Sequence, residues 1–180
     1  MSDHLMERMT WQEVDARIGT GVDAAILPIG TTEQHGPHMP LDTDCVIARG
    51  LAERVADQAA ADGLSVLVAP TLNVTLSWYH MQFPGSMRLS TTTFLQVFKE
   101  TVESLHHHGI RNVIALNGHG GNVAALTVAV NHYLETTGRR VFLAQWWELC
   151  GDIVGTVEGP GIHAEEAETS LALEIGRAHV

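Results

Sequence analysis

The sequence predicts an α/β protein of three layers, α/β/α, around a mainly parallel sheet. Two observations predict it. Four short runs, 24–29, 64–69, 112–116 and 140–144, are apolar on both faces, as expected of strands covered by helices on both sides. Segments of helical length and periodicity alternate with them, which is the βα order of a parallel sheet.

Taken in order, 11–18 reads as a short helix. Thr10 is placed to cap it and Glu13 to close a capping box. Residues 24–29 (Ala-Ala-Ile-Leu-Pro-Ile) form the first buried strand. A helix is predicted over 43–61, with Val46, Ile47, Leu51 and Val55 on one face and Asp62-Gly63 as its stop. Strand 64–69 ends at Pro70. Residues 71–88 show no period, and an irregular stretch of that length in a small domain is usually functional. An amphipathic helix over 91–107 stops at Gly109. Strand 112–116 runs into the glycine loop Asn117-Gly-His-Gly-Gly-Asn122, followed by a helix to about Glu135 and strand 140–144. His163 to Ser170 opens a last helix.

The 180 residues suit one domain spanning 1–180. A formal charge of −11 with only ten basic residues, none in a stripe, argues against nucleic acid. No apolar stretch approaches the ~20 residues of a membrane span. The amino terminus lacks the basic end and apolar core of a signal peptide, so a cytoplasmic protein is expected. Cys45 and Cys150 form no spacing motif and read as buried thiols. His106-His-His108 reads as an exposed helix end.

The chemistry concentrates in Gly30-Thr-Thr-Glu-Gln-His-Gly-Pro-His-Met-Pro-Leu-Asp-Thr-Asp44, which packs Glu33, His35, His38, Asp42 and Asp44 into one turn-rich segment. Carboxylates and imidazoles so close repel or stay solvated unless a cation lies among them. Residues i and i+2 of an extended segment share a side, so Glu33 and His35 can bind one metal or two neighbours. Asp44, at a helix start, is either a cap or a ligand, and beside Glu33 and His35 ligation is favoured. His119 sits on a strand-to-helix turn. His163, Glu165, Glu166 and Glu168 open the last helix, where acidic residues also suit the dipole. In an α/β fold these loops meet at the carboxyl ends of the strands. Histidine and carboxylate without cysteine suit zinc, manganese or iron and disfavour calcium. Two such ions about 3.5–4 Å apart favour hydrolysis.

These motifs, with Phe83-Pro-Gly-Ser86 and Glu168-Thr-Ser170, resemble the creatininase family of creatinine amidohydrolases over residues 24–173. The resemblance implies a three-layer α/β/α fold, a centre of two divalent metals (zinc or manganese, with iron as a third choice), and hydrolysis of non-peptide C–N bonds in a small, cyclic amide. It also implies a homo-oligomer, a hexamer in the family. Carried onto this chain, Glu33, Asp44 and His119 hold one metal, and His35 with a bridging Asp44 holds the second. The family's creatininase has a glutamate ligand where this chain has Gly121; Glu166 is expected to supply that carboxylate instead. His163 and Glu166 are the expected catalytic residues, and His80, Trp146 and Trp147 the expected substrate-pocket residues. His38 and Asp42 take supporting places. The alternatives are a non-catalytic binding protein of the same fold and a relative acting in peptide or cofactor maturation. The segment 174–180 can be encoded by a widely used sequencing adapter. The domain is therefore expected to be truncated at its carboxyl end, with these last residues an artefact.

Overall fold

The computed structural model describes residues 4–151 and 163–175. The first helix, α1 (Trp11–Thr20), is opened by the capping box: Thr10 Oγ1 accepts the Glu13 N–H, and the Glu13 carboxylate accepts the Thr10 N–H at 2.6 Å. Strand β1 (Ala24–Ile29) leads to α2 (Thr43–Ala61), and Gly63, with φ of 82°, follows its last turn. Next come β2 (Val66–Val68), α3 (Thr91–His107), β3 (Val113–Asn117), α4 (Val123–Thr137) and β4 (Val141–Gln145). A short α5 (Trp146–Leu149) and α6 (Glu166–Ile175) follow, and 3-10 turns lie at Met6–Arg8, Trp78–His80 and Gly120–Asn122.

The sheet has the order β2-β1-β3-β4, and all three pairings are parallel. Alternate residues of each strand feed two cores. Ala25, Leu27 and Ile29 pack with Phe94, Phe98 and Val102 of α3 and Leu126 and Tyr133 of α4. Ile26 and Leu116 pack with Ile47, Ala52 and Ala56 of α2, and Leu171 and Ile175 of α6 lean on that side. This is the expected α/β/α layering.

The topology also locates a site. From β1 the chain proceeds to β2 on one side, and from β3 to β4 on the other. The loops after β1 and β3 therefore diverge and leave a crevice at the strands' carboxyl ends, where ligands of open α/β sheets bind.

Three expectations change. Strand 64–69 contracts to Val66–Val68, because Leu64 is half exposed and lies outside the ladder. The last helix begins at Glu166, so His163 lies in the loop before it. His106 is buried rather than exposed: its ring stacks on Tyr133 of α4, with Nδ1 2.7 Å from the hydroxyl. The helix period turns residue 106 toward α4 while His107 and His108 stay outside.

Candidate metal centre

The loop after β1 is held by its backbone. The Gly30 N–H donates to Leu72 O at 2.9 Å, the Glu33 N–H to Leu41 O at 3.0 Å, and the Thr75 hydroxyl to Gly30 O at 2.8 Å. Two glycines let the amino end of α2 press against the strand ends. A Cβ at position 30 would lie 2.5 Å from the Cys45 backbone nitrogen, and one at 118 would lie 2.7 Å from the Asp44 carbonyl oxygen. Without them α2 would stand off and carry Asp44 away. The Asn117 side chain accepts the His119 N–H and donates to the His119 carbonyl, bracing the loop after β3.

The result is a buried cluster. Glu33, His35, Asp44, His119 and Glu168 are all nearly inaccessible to solvent. His119 Nδ1 lies 3.0 Å from Asp44 Oδ2 and 3.2 Å from Glu33 Oε1. His35 Nε2 lies 3.0 Å from Asp44 Oδ1 and 4.0 Å from Glu168 Oε2. Two three-residue groups thus share Asp44: Glu33, Asp44 and His119, and His35, Asp44 and Glu168, with donor atoms within 4.8 Å of one another in each. A third group joins Glu33 and His35 to His163. Asp44 is not the helix cap. Asp42 occupies that position, without a side-chain capping bond, and Asp44 points inward from the first turn.

These residues fit a divalent cation. Glu33 Oε1 and Asp44 Oδ2 are buried with no hydrogen-bond partner among the described residues, although His119 Nδ1 stands close to both. Such orphaned oxygens are costly, and a cation satisfies both at once. The donor set, imidazole with carboxylate and no thiolate, is one that zinc, manganese or iron accepts.

The electrostatics carry the same message. Burial opposes the Glu33 charge, but His119, Ser77 and His80 outweigh it and hold the carboxyl down at about 2. Burial likewise opposes a charge on His119, yet Asp44 and Glu33 push it up to about 10. A proton on His119 thus does for the carboxylates what a metal would do. Burial, then the Asp44 charge, push Glu168 up to about 7. A cation in the cluster would reverse that shift.

The helix carboxylate that faces the cluster is Glu168, whereas the expected Glu166 points away from it. Successive residues turn by about 100° around a helix, so two residues separate a side chain facing the cluster from one facing solvent; Glu166 is exposed and joins none of the three groups. Glu168 is held further by the Ala164 N–H, which donates to Oε2 at 2.5 Å. Ala164 is the sole non-glycine among the described residues with positive φ, at 56°. Such strained backbone gathers at functional sites.

His80 lies at the cluster, with Nδ1 2.9 Å from Glu33 Oε2. The tryptophans do not: Trp146 is buried and Trp147 partly buried in the core beneath α2, because α5 turns that way directly after β4. His38 reaches Thr169 of α6 at 3.1 Å, tying the first loop to the last helix.

Sequence reading missed Ser77 and Tyr79. The Ser77 hydroxyl donates a very short hydrogen bond to Glu33 Oε2. Tyr79 contacts His119. Both lie on the unpatterned stretch 71–88, whose length was the only signal. A cavity of about 250 Å³ opens beside the cluster, lined by Tyr79, His80, His119, Gly120, Gly121, His163 and Glu168. His163 is half-buried there, its ring 4.6 Å from both the His35 and His80 rings. Burial first, then the neighbouring imidazoles, hold it below the usual histidine range.

Comparisons with known proteins identify the family and the fold. Residues 7–180 match the family model described as "Creatininase: Creatinine amidohydrolase". The chain is 36% identical over 160 residues to the mycofactocin precursor peptide peptidase of Mycobacterium tuberculosis (strain CDC 1551 / Oshkosh), covering 86% of this chain and 59% of that protein. It is 27% identical over 150 residues to the creatinine amidohydrolase of Pseudomonas putida, covering 80% and 58%. A crystal structure of creatinine amidohydrolase superposes with a TM-score of 0.84 at 26% identity, covering 96% of this chain and 72% of that one. The chain thus spans less than two thirds of the length of these curated relatives.

Proposed function

The chain belongs to the creatininase family, and from that premise we propose that it is a metal-dependent hydrolase of an amide C–N bond in a small substrate. The observation that carries the proposal is the pair of ligand groups sharing Asp44, with two buried carboxylate oxygens that have no hydrogen-bond partner among the described residues. In this reading Glu33, Asp44 and His119 hold one cation, and His35, Asp44 and Glu168 hold a second. Divalent cations in such a site activate water and polarise a carbonyl.

The chain's own groups supply the rest. Ser77 fixes the Glu33 carboxylate, and the Leu76 carbonyl accepts from His119 Nε2 at 2.7 Å, fixing that ring. The tautomer of His163 follows from its neighbours. Gly36 N–H donates to Gln34 Oε1, which turns the Gln34 amide NH₂ toward His163 Nε2 at 2.9 Å. Nε2 therefore accepts, and the proton sits on Nδ1, which lies 3.6 Å from Glu33 Oε1. His163 is thereby a neutral imidazole on the cavity wall, with its Nδ1–H directed at the cluster as a hydrogen-bond donor.

A second reading, a peptide amide as the bond cleaved, is favoured by the higher identity to the mycofactocin precursor peptide peptidase than to the creatinine amidohydrolase. The purified chain, loaded in turn with zinc, manganese and iron, is tested against creatinine, other cyclic amides, formamides and short peptides. Hydrolysis that disappears with a chelator and with Asp44→Asn supports the proposal, and the preferred substrate separates the two readings. A chain that takes up no metal at all refutes both.

A further inference from the structure

Gly121 leaves a space beside His119 that a larger side chain would fill, and the hydroxyl of Tyr79 occupies it. A Cβ built at 121 would clash with that hydroxyl and lie 2.5 Å from His119 Nε2. Tyr79 is thus held against His119, its oxygen 3.0 Å from Nε2, while also lining the cavity beside the cluster.

The direction of this hydrogen bond is fixed by a third group. His119 Nε2 also lies 2.7 Å from the Leu76 carbonyl oxygen. A carbonyl only accepts, so Nε2 carries a proton. Tyr79 must then accept from Nε2, sharing that proton with Leu76, and cannot donate to it. Its own O–H proton has no other hydrogen-bond acceptor among the described residues. The conclusion does not depend on what occupies Nδ1, since either a proton or a cation there leaves Nε2 protonated.

We propose that the Tyr79 hydroxyl is a substrate-facing hydrogen-bond donor, aimed at the acyl oxygen of the amide held in this cavity and strongest as that oxygen gains charge. The inference deepens the proposed function and rests on it. A donor fixed in place before reaction, directed at an oxygen that becomes anionic, stabilises the transition state more than the ground state. Gly121 acquires a role in this picture: it admits a tyrosine hydroxyl where the resemblance expected a carboxylate ligand to be missing.

The test uses methylphosphonate, a small tetrahedral anion that mimics the charge of an attacked acyl group, titrated calorimetrically into the zinc-loaded chain and its Tyr79→Phe variant. Metal content and thermal melting of both are measured alongside. The expected result is affinity about tenfold weaker in Tyr79→Phe, as befits losing a hydrogen bond to a charged group, with metal content and melting unchanged. Affinity within twofold of wild type overturns the inference alone. A variant that loses zinc also overturns it, since Tyr79 would then serve to support His119. A wild type that binds zinc but no methylphosphonate overturns it as well, and one that binds no zinc removes the functional reading beneath it.

Discussion

Asp44 Oδ2 and His119 Nδ1 lie 3.0 Å apart, in contact across the crevice between the loops after β1 and β3. The other oxygen of the same carboxylate meets His35. Asp44 is therefore the residue on which both candidate metal positions depend. Asp44→Asn keeps the shape and removes the charge. Metal analysis of the purified variant should show bound zinc falling from about two ions per chain to fewer than about one.

Glu168 and Glu166 give a sharper test of the assignment. Glu168→Gln should lose about one ion per chain, whereas Glu166→Gln should retain the wild-type content, because only Glu168 faces His35. The reverse result would restore the assignment that spacing alone suggested.

Ser77→Ala removes the short hydrogen bond to Glu33 while leaving every ligand in place. Loss of such a supporting group typically weakens metal binding about 10- to 100-fold. Competition with a chromogenic zinc chelator measures it, and an unchanged affinity would show that Ser77 merely fills space.

Stability should respond to pH in opposite senses with and without metal. In chelator, the raised His119 contributes stability that is whole below its unfolded value of 6.5 and lost as pH climbs toward about 10. Glu33, depressed to about 2, contributes stability present above 4.5 and lost as pH falls through that range. Glu168, raised to about 7, keeps its proton longer in the folded state, so stability declines between 4.5 and 7. Thermal melts in chelator should therefore peak at mildly acidic pH and decline toward pH 9. With zinc, the proton on His119 competes with the ion, so the stabilisation that zinc confers should grow over that same span. Parallel melts from pH 5 to 9 check both slopes.

Phe98→Ala tests the fold apart from the chemistry. Phe98 is buried between α3 and the sheet. Its removal should cost about 3–5 kcal/mol in denaturant unfolding.

The sequence by itself determined the architecture and half of the site. Runs apolar on both faces, alternating with helical periods, are enough to specify a covered parallel sheet, because only that arrangement buries such strands. Helices α2 and α3 have the predicted bounds, since glycine stops such as Gly63 and Gly109 act locally. The clustering of Glu33, His35 and Asp44 was legible because one segment carries all three. The tertiary structure alone decided what joins them. Whether Glu166 or Glu168 faces the cluster depends on the rotation of α6 about its axis, which packing against α2 sets. The tryptophans could read equally as pocket or core until α5 was placed at the core beneath α2. Ser77 and Tyr79 lie on a stretch without period, positioned by long-range hydrogen bonds such as Leu89 to Thr75 and Leu76 to Asn122. The direction of the Tyr79 hydroxyl needed one more partner, a backbone carbonyl, and backbone carbonyls carry no mark in a sequence.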